Sequence, residues 1–367
     1  MKEAIDIYTE VLSRVAGNKA AAARALGIPV TTLKDRLARA AEAGDPATSE
    51  VRDTIFKLAQ YNPNPPKWVI NGGAPGKSPG TPTILISDMH YGEVVDPAQV
   101  NRYNTFNPAI AEKRLKTLAH KVVELCYLHR PGHKYSCLVM PLLGDLVSGN
   151  IHEEFKETND GSTLEHVMKV SDLLIGLIDS WRESFPKIFV PTCFGNHGRT
   201  QKKPPYKNAA ATNYDWLIYC ILARHYRDDP SVIFQVPYGY ESYYTVNGVR
   251  YLATHGDRLG VRGGDNLTGL IGPISRGIEK LRRTYNTMGS PVDYVLMGHW
   301  HTVLRPVNGR VNGSIKGYDE FAMGNRLTPE LPAQLLWFTH PTYGIIGEDT
   351  LYLEEPKAHP KRITMAV

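Results

Sequence analysis

The chain has 367 residues, of which 42% are hydrophobic and 22% charged, with a formal net charge of +5. That length is too great for one ordinary core, so two domains are expected, and the composition is that of a globular protein rather than a disordered or fibrous one. No apolar run approaches the roughly 20 residues of a membrane span, and the N-terminus lacks the apolar core of a signal peptide, which predicts a cytoplasmic protein with no membrane partner. The four cysteines (Cys126, Cys137, Cys193, Cys220) lie far apart with no Cys-x-x-Cys pair, and read as reduced, buried thiols. The positive charge permits a nucleic-acid partner without arguing for one.

Residues 1–43 form the first unit. Ile5, Tyr8, Val11, Leu12 and Val15 recur at helical spacing, and Gly17-Asn18 breaks the helix. Lys19 to Leu26 is alanine-rich and strongly helix-favouring, Gly27 stops it, and Pro29 with Thr31 or Thr32 starts another helix carrying Leu33 and Leu37 inward. Two helices joined by a short glycine turn make a helix-turn-helix. The stretch from Gly17 to Leu33 resembles the Fis/NtrC-type helix-turn-helix over about forty residues. The resemblance implies that Val30 to Arg39 is a recognition helix for the DNA major groove, with Thr31, Thr32, Lys34, Arg36 and Arg39 as its contacts, and it allows a homodimer. The alternative is a helical pair used only for packing or assembly.

Residues 44–82 read as a linker holding one short helix (Val51 to Tyr61). Asn62 to Pro82 has six prolines and four glycines, too many for a core element. From Thr83 to about residue 355 a second domain is expected, followed by an uninformative tail, 356–367. Its organising stretch is Thr83-Ile84-Leu85-Ile86-Ser87-Asp88-Met89-His90, a buried strand ending in an acid and a histidine two apart. The pattern recurs. Leu138-Val139-Met140 leads to Gly144-Asp145, Ile188-Phe189-Val190 to Gly195-Asn196-His197, Tyr251-Leu252-Ala253-Thr254 to His255, and Tyr294-Val295-Leu296-Met297 to Gly298-His299-Trp300-His301. Ligands of open α/β sheets sit beyond the carboxyl ends of the strands, so these tips should converge. Between them, helices are predicted over Ala109–His129, with Leu115, Leu118, Val122 and Leu125 on one face, and Thr163–Glu183, with Leu164, Val167, Met168, Leu174, Ile178 and Trp181 aligned. Strands follow at Val232–Val236 and in a hairpin over Glu241–Thr254 turning at Asn247-Gly248. A helix is predicted from about Pro273 to Tyr285, and short β segments over Val303–Glu354. The fold class is α/β: two packed sheets flanked by helices, preceded by a small all-α unit.

The ordered set Asp88-x-His90-x-Gly92, Gly144-Asp145, Gly195-Asn196-His197, His255 and Gly298-His299-x-His301 resembles the calcineurin-like metallophosphoesterase superfamily over about residues 83–302. The carboxylate, imidazole and amide donors suit manganese, iron or zinc rather than calcium. The resemblance implies two divalent metal ions, manganese first. Asp145 would bridge them, with Asp88, His90 and His301 around one and Asn196, His255 and His299 around the other. A metal-bridging hydroxide would then attack the phosphodiester in line. His197 is implied to be a non-ligand that stabilises the transition state or protonates the leaving oxygen, and Arg199 to bring positive charge to the phosphate. One departure stands out: the family usually has an acid after this histidine, where this chain has Gly198. The opening Ser87-Asp88-x-His90-x-Gly92 is most similar to the repair-nuclease branch.

Lys202, Lys203, Lys207, Arg258 and Arg262 lie in loops near the motifs, and Arg276, Lys280, Arg282 and Arg283 stud the next helix. Tyr91, Tyr103 and Tyr206 are candidates for base stacking or for packing. The loop 312–320 has the composition of a functional segment, but no physical reason for it is legible in the sequence. The expected function is a two-metal DNA nuclease, with RNA as the alternative polyanion. The competing readings are a small-molecule phosphodiesterase with an assembly helix-turn-helix, and a DNA-binding regulator with an inert phosphoesterase domain.

Overall fold

The computed structural model describes residues 19–25, 28–31, 33, 80–151, 157–259 and 269–355. The chain divides into two compact units, Met1–Gln60 and Tyr61–Val367. In the first, helix α1 (Lys19–Ala25) buries Ala22 and Ala23, and Leu33 is buried as well. The Ile28 N–H bonds back to the Ala23 carbonyl at 3.1 Å and Leu33 N–H to the Pro29 carbonyl at 3.0 Å, closing a turn and opening the next helical segment. Thr31 is exposed there; Thr32, Lys34, Arg36 and Arg39 lie outside the described residues.

The second unit is a mixed α/β fold with two sheets, as the sequence led one to expect. The larger sheet has the order β10-β9-β1-β2-β3-β4, the smaller β5-β6-β7-β8. In the larger, β1 (Thr81–Ile84), β2 (Leu138–Val139), β3 (Ile188–Pro191) and β4 (Val232–Gln235) run parallel, while β9 (Ala333–His340) and β10 (Gly344–Tyr352) close it antiparallel. Parallel neighbours need crossover helices. These are α2 (Pro108–Val123), α3 (Thr163–Arg182) and α4 (Tyr214–His225). In the smaller sheet, β5 (Ser242–Val246) and β6 (Val249–Ala253) form the expected hairpin, with Asn247 and Gly248 at positive φ. Strands β7 (Tyr294–Met297) and β8 (Gly309–Val311) extend it in parallel.

The core lies between the sheets. Leu85, Val139, Leu143, Phe189 and Trp337 of the larger meet Tyr244, Tyr251 and Leu296 of the smaller, all essentially inaccessible. At roughly 1.5–3 kcal/mol for each large apolar side chain, this interface contributes substantially to the stability of the unit. Helix α5 (Ile271–Thr287) covers the outer face of the smaller sheet with Ile274 and Ile278.

Local signals explain the helix starts. Asn107 caps α2 by accepting the Ile110 N–H, with Pro108 in the first turn. Ser162 and Glu165 cap α3 reciprocally. Three details depart from expectation. Helix α2 does not run on to His129 but passes into a π-helical turn, Glu124–Leu128, which buries Cys126 and leaves Leu125 only half-buried. Leu164 and Met168 of α3 are 64% and 58% exposed, while the other expected positions, Val167, Leu174, Ile178 and Trp181, are buried together with His166, Val170 and Ser171. Strand β1 starts two residues earlier and ends at Ile84, and Ile86 continues only as a bridge to Leu142. A short last helix, α6 (Glu320–Gly324), follows the buried loop 312–319. Among the described residues no helix is long and apolar enough to cross a membrane. All four cysteines are buried and free.

Candidate metal centre

The sequence blocks meet where the strands of both sheets end. Asp88 and His90 follow β1, Asp145 follows β2, and Asn196 and His197 follow β3. His255 follows β6, and His299 and His301 follow β7. The larger sheet therefore supplies five of these side chains and the smaller sheet three. At each tip the chain turns sharply. Asp88, His90, Asp145, His299 and His301 have φ of 53°, 48°, 52°, 69° and 54°. Side chains rarely adopt that left-handed region, and it costs about 1–3 kcal/mol per residue, so a cluster of five marks a site whose geometry outranks local comfort.

Ligand atoms gather in three overlapping groups, each within 4.8 Å: Asp88–His90–His301, His90–Asp145–His197 and Asp145–His255–His299. Asp145 belongs to two of them, between the others. His255 Nε2 lies 3.0 Å from Asp145 Oδ2 and 3.1 Å from Asn196 Oδ1. His90 Nε2 and His301 Nε2 face each other at 3.0 Å, with His301 Nε2 3.4 Å from Asp88 Oδ1. Asp88, His90, Asp145 and His255 are fully buried; Asn196, His197, His299 and His301 are half-buried and form the open side.

Electrostatics favour a cation here. Burial pushes His90 well below the usual imidazole range, helped by the Lys316 charge, and pushes His299 down to about 4, helped by His255. Both are then neutral donors at pH 7. Burial alone would raise Asp145, but His255, His197 and His90 outweigh it and hold the group ionised. Against its own burial, the Asp145 charge draws His255 up to about 10, so a proton sits where a cation would otherwise balance the carboxylate. His255 Nδ1 is fixed by the Leu143 carbonyl at 2.7 Å, which directs Nε2 into the cluster. Opposed imidazole nitrogens, two buried carboxylates and an amide oxygen form a donor set that fits divalent cations.

His197 lies on the open side of the same cluster, against His90 and Asp145. Its backbone N–H donates to Asp145 Oδ1 at 2.8 Å, its Nδ1 contacts the Ser148 carbonyl at 3.1 Å, and its ring meets His90 edge-on at 4.5 Å between centroids. Arg199 is half-buried beyond it, on the Asn196 side.

One residue that sequence reasoning missed is central. Asp215, at the start of α4 and fully buried, accepts the N–H groups of Asp145, Leu146 and Gly195 at 2.9, 3.0 and 2.9 Å. It thus ties the loop that carries Asp145 to the loop that carries Asn196 and His197. Burial and the Asp145 charge push its carboxyl up to about 6, against the hydrogen bonds from Gly195 and Leu146. Three donors aimed at it still require an ionised acceptor at neutral pH. This bears on Gly198. A Cβ there would meet Asn213 Oδ1 at 2.4 Å and Asp215 Cγ at 3.1 Å. The space into which an acid at 198 would project is occupied by Asn213 and Asp215. Gly195 is required for a related reason, since a Cβ would lie 2.1 Å from Asp145 Oδ1. An Asp two residues into a helix reads as an ordinary first-turn acid, so the sequence held no signal for this role.

The loop 312–319 also acquires a physical account. Ser314 Oγ and the Ile315 N–H donate to the Asp88 carbonyl. The Lys316 ammonium is enclosed by Glu93, at 2.9 and 3.1 Å, and by Asp319. Glu93 Oε2 in turn lies 3.7 Å from His90 Nδ1. The fully buried Arg114 holds the Ile315 and Lys316 carbonyls and Asn104 Oδ1. The segment is a buried floor beneath Asp88 and His90. Of the three candidate tyrosines, Tyr91 is buried with its hydroxyl on Glu112, Tyr103 packs edge-on against Tyr318, and Tyr206 is 87% exposed.

Residues 9–39 match the family model described as "Bacterial regulatory protein, Fis family". No curated protein matches the chain. Among solved structures the chain is similar to a dimetal phosphatase from Danio rerio, with 9% identity, TM-score 0.38, and coverage of 76% of this chain and 100% of that one. It is also similar to the sulfate thiohydrolase SoxB of Thermus thermophilus in complex with glycerol, with 8% identity and TM-score 0.33, covering 77% of this chain and 58% of the other.

Proposed function

We propose that this chain is a dinuclear metal-dependent phosphodiesterase acting on nucleic acid, DNA first, with its N-terminal helix-turn-helix as the DNA-binding element. The observation that carries this is the convergence of Asp88, His90, Asp145, Asn196, His255, His299 and His301, with Asp145 between two donor groups. Asp88, His90 and His301 would hold one ion, Asn196, His255 and His299 the other, and Asp145 both. When bound, such ions supply Lewis-acid polarisation of a phosphoryl oxygen and water acidified towards neutrality.

The protein's own groups do the rest. Asp215 fixes the spacing of the Asp145 and Asn196 loops through three backbone amides. His197, whose Nδ1 contacts the Ser148 carbonyl, would exchange a proton with the leaving oxygen. Arg199 brings positive charge to the substrate phosphate on the Asn196 side. Asp215, which stands close to where an acid at 198 would project, ties the Asp145 and Asn196 loops together, and this supports a working centre over an inert one.

Hydrolysis of bis(p-nitrophenyl) phosphate tests the chemistry. Manganese should support turnover, a chelator should abolish it, and re-addition should restore it; a stripped protein with undiminished turnover would refute the reading. Linear, circular and single-stranded DNA and RNA in the same assay then rank the polymer substrates. Cleavage of the small diester alone would move the assignment to a small-molecule phosphodiesterase.

A further inference from the structure

Beside the Asn196 donor lies a cleft that extends away from the donor cluster. Its lining includes Asn196, Arg199, Pro205, Tyr240, Arg258 and one carboxylate, Asp257. The Arg258 guanidinium lies flat on the Tyr240 ring, 4.0 Å from its centroid, and Tyr240 is itself fixed by a 2.7 Å hydrogen bond to the Pro205 carbonyl. Among the described residues, the polar contacts of Arg258 are long: 3.5 Å to the Pro205 carbonyl and 3.7 Å to Asp257 Oδ2. Among the described residues, Arg199 Nε is buried without a hydrogen-bond partner. Burial and the nearby Arg258 charge both act against the Arg199 cation, while Asp257 and Asp145 support it. Glu241, the other carboxyl that feels Arg258, is pushed up by burial and is engaged by the Tyr285 hydroxyl at 2.7 Å. Two guanidiniums therefore share one cleft with incomplete compensation, an arrangement that an oxyanion relieves through charge-assisted, bidentate hydrogen bonds. The loop leaving this cleft carries exposed Lys202, Lys203 and Lys207 around the exposed Tyr206, so positive charge continues outward from it.

We propose that the Arg199–Arg258 cleft is a second phosphate subsite. It would take the phosphate one linkage from the scissile one in a polynucleotide and orient the strand so that the scissile phosphate falls on the donor cluster. This rests on the phosphodiesterase reading and deepens it. A substrate with one phosphate fills only the metal side; a substrate with two engages both. The Arg258 side chain belongs to the subsite and not to the chemistry, whereas Asn196 and Arg199 stand on the wall that the two sites share.

Calorimetric binding to the manganese-loaded full chain tests the idea. Thymidine 3′,5′-bisphosphate should bind at least about tenfold tighter than thymidine 5′-monophosphate, the order expected for one added charge-assisted bidentate contact. Arg258→Gln should erase that difference while leaving manganese content and bis(p-nitrophenyl) phosphate turnover within about twofold, and Arg258→Lys should keep part of it. Equal binding of the two nucleotides by the unaltered protein would overturn the proposal without any variant. So would a difference that survives Arg258→Gln. If the bisphosphate preference is present and lost in Arg258→Gln, yet no diester is hydrolysed, the subsite stands and the phosphodiesterase reading falls.

Discussion

Single side chains separate holding the metals from moving protons. His197→Ala should keep metal content nearly intact and lower turnover by about 10²–10⁴-fold, the range for loss of a general acid. The loss should shrink for diesters with an activated leaving group, which needs little protonation. Metal analysis and a leaving-group series check this, and a lost ion would make His197 a ligand. Asp215 should behave differently. Asp215→Asn turns an amide N–H₂ towards donors that need an acceptor, so metal affinity should fall by about 10–100-fold, as for other residues that orient ligands from behind. Titration of the metal-free variant against Asp215→Glu reads this directly, and unaltered affinity in Asp215→Asn would remove its positioning role. The seven candidate donors were legible because each ends a hydrophobic run, a pattern that survives in one dimension. Asp215 was not, because its three partners come from two loops far away in the chain. Gly198 looked like a gap in the motif; in the structure a Cβ there would stand 2.4 Å from Asn213 Oδ1, so any side chain at 198 would have to displace the Asn213 carboxamide.

Elements were legible where burial is one-sided. Helix α2 and the β5–β6 hairpin follow their periodicity, whereas α4 escaped notice. Its sequence, Tyr-Asp-Trp-Leu-Ile-Tyr-Cys-Ile-Leu-Ala-Arg-His, is apolar on most sides, and seven of its twelve residues are buried, which leaves no amphipathic stripe to detect. In α3 the reverse holds, since Leu164 and Met168 are apolar yet lie off the buried face. The floor loop 312–319 makes a prediction about acid stability. Burial would raise Asp319, but the Lys316 ammonium outweighs it and holds the carboxyl at about 2, below its ordinary value of 3.8. A carboxyl depressed in the fold stabilises above its unfolded pKa and ceases to do so as the pH falls through the folded one, so this contribution should vanish between about pH 4 and pH 2. Glu93, raised by burial, opposes it in part. Lys316→Met should leave two buried carboxylates unpaired, cost about 3–5 kcal/mol at pH 7, and regain stability relative to the unaltered protein on acidification. Urea unfolding at pH 7, 4 and 3 decides it; equal pH slopes would show that Lys316 does not set the balance.

At the scale of the whole molecule, the helix-turn-helix should supply affinity for long DNA and the α/β unit should supply chemistry. A truncated chain beginning at Gly80 should hydrolyse a small diester as well as the full chain does. On long DNA it should be weaker at physiological salt, chiefly through KM. Binding by the full chain should fall steeply with salt, with roughly −0.9 in log–log slope for each phosphate neutralised. Undiminished binding and cutting of long DNA by the truncated chain would make the first unit an assembly device. The split of the donors between two sheets has a mechanical consequence. Asp88, His90, Asp145 and Asn196 belong to one layer and His255, His299 and His301 to the other, and the His299 N–H already reaches across to Asp88 at 3.0 and 3.1 Å. Ions held by both layers would act as a clasp on the edge of the sandwich. At a free concentration 100 times the dissociation constant, one such ion adds about 2.7 kcal/mol to the closed form. Chelation should then lower Tm and speed hydrogen exchange at the Asp88 and His299 amides well before it touches β9 and β10, on the far side of β1; uniform acceleration would mean that the layers hold together without the clasp.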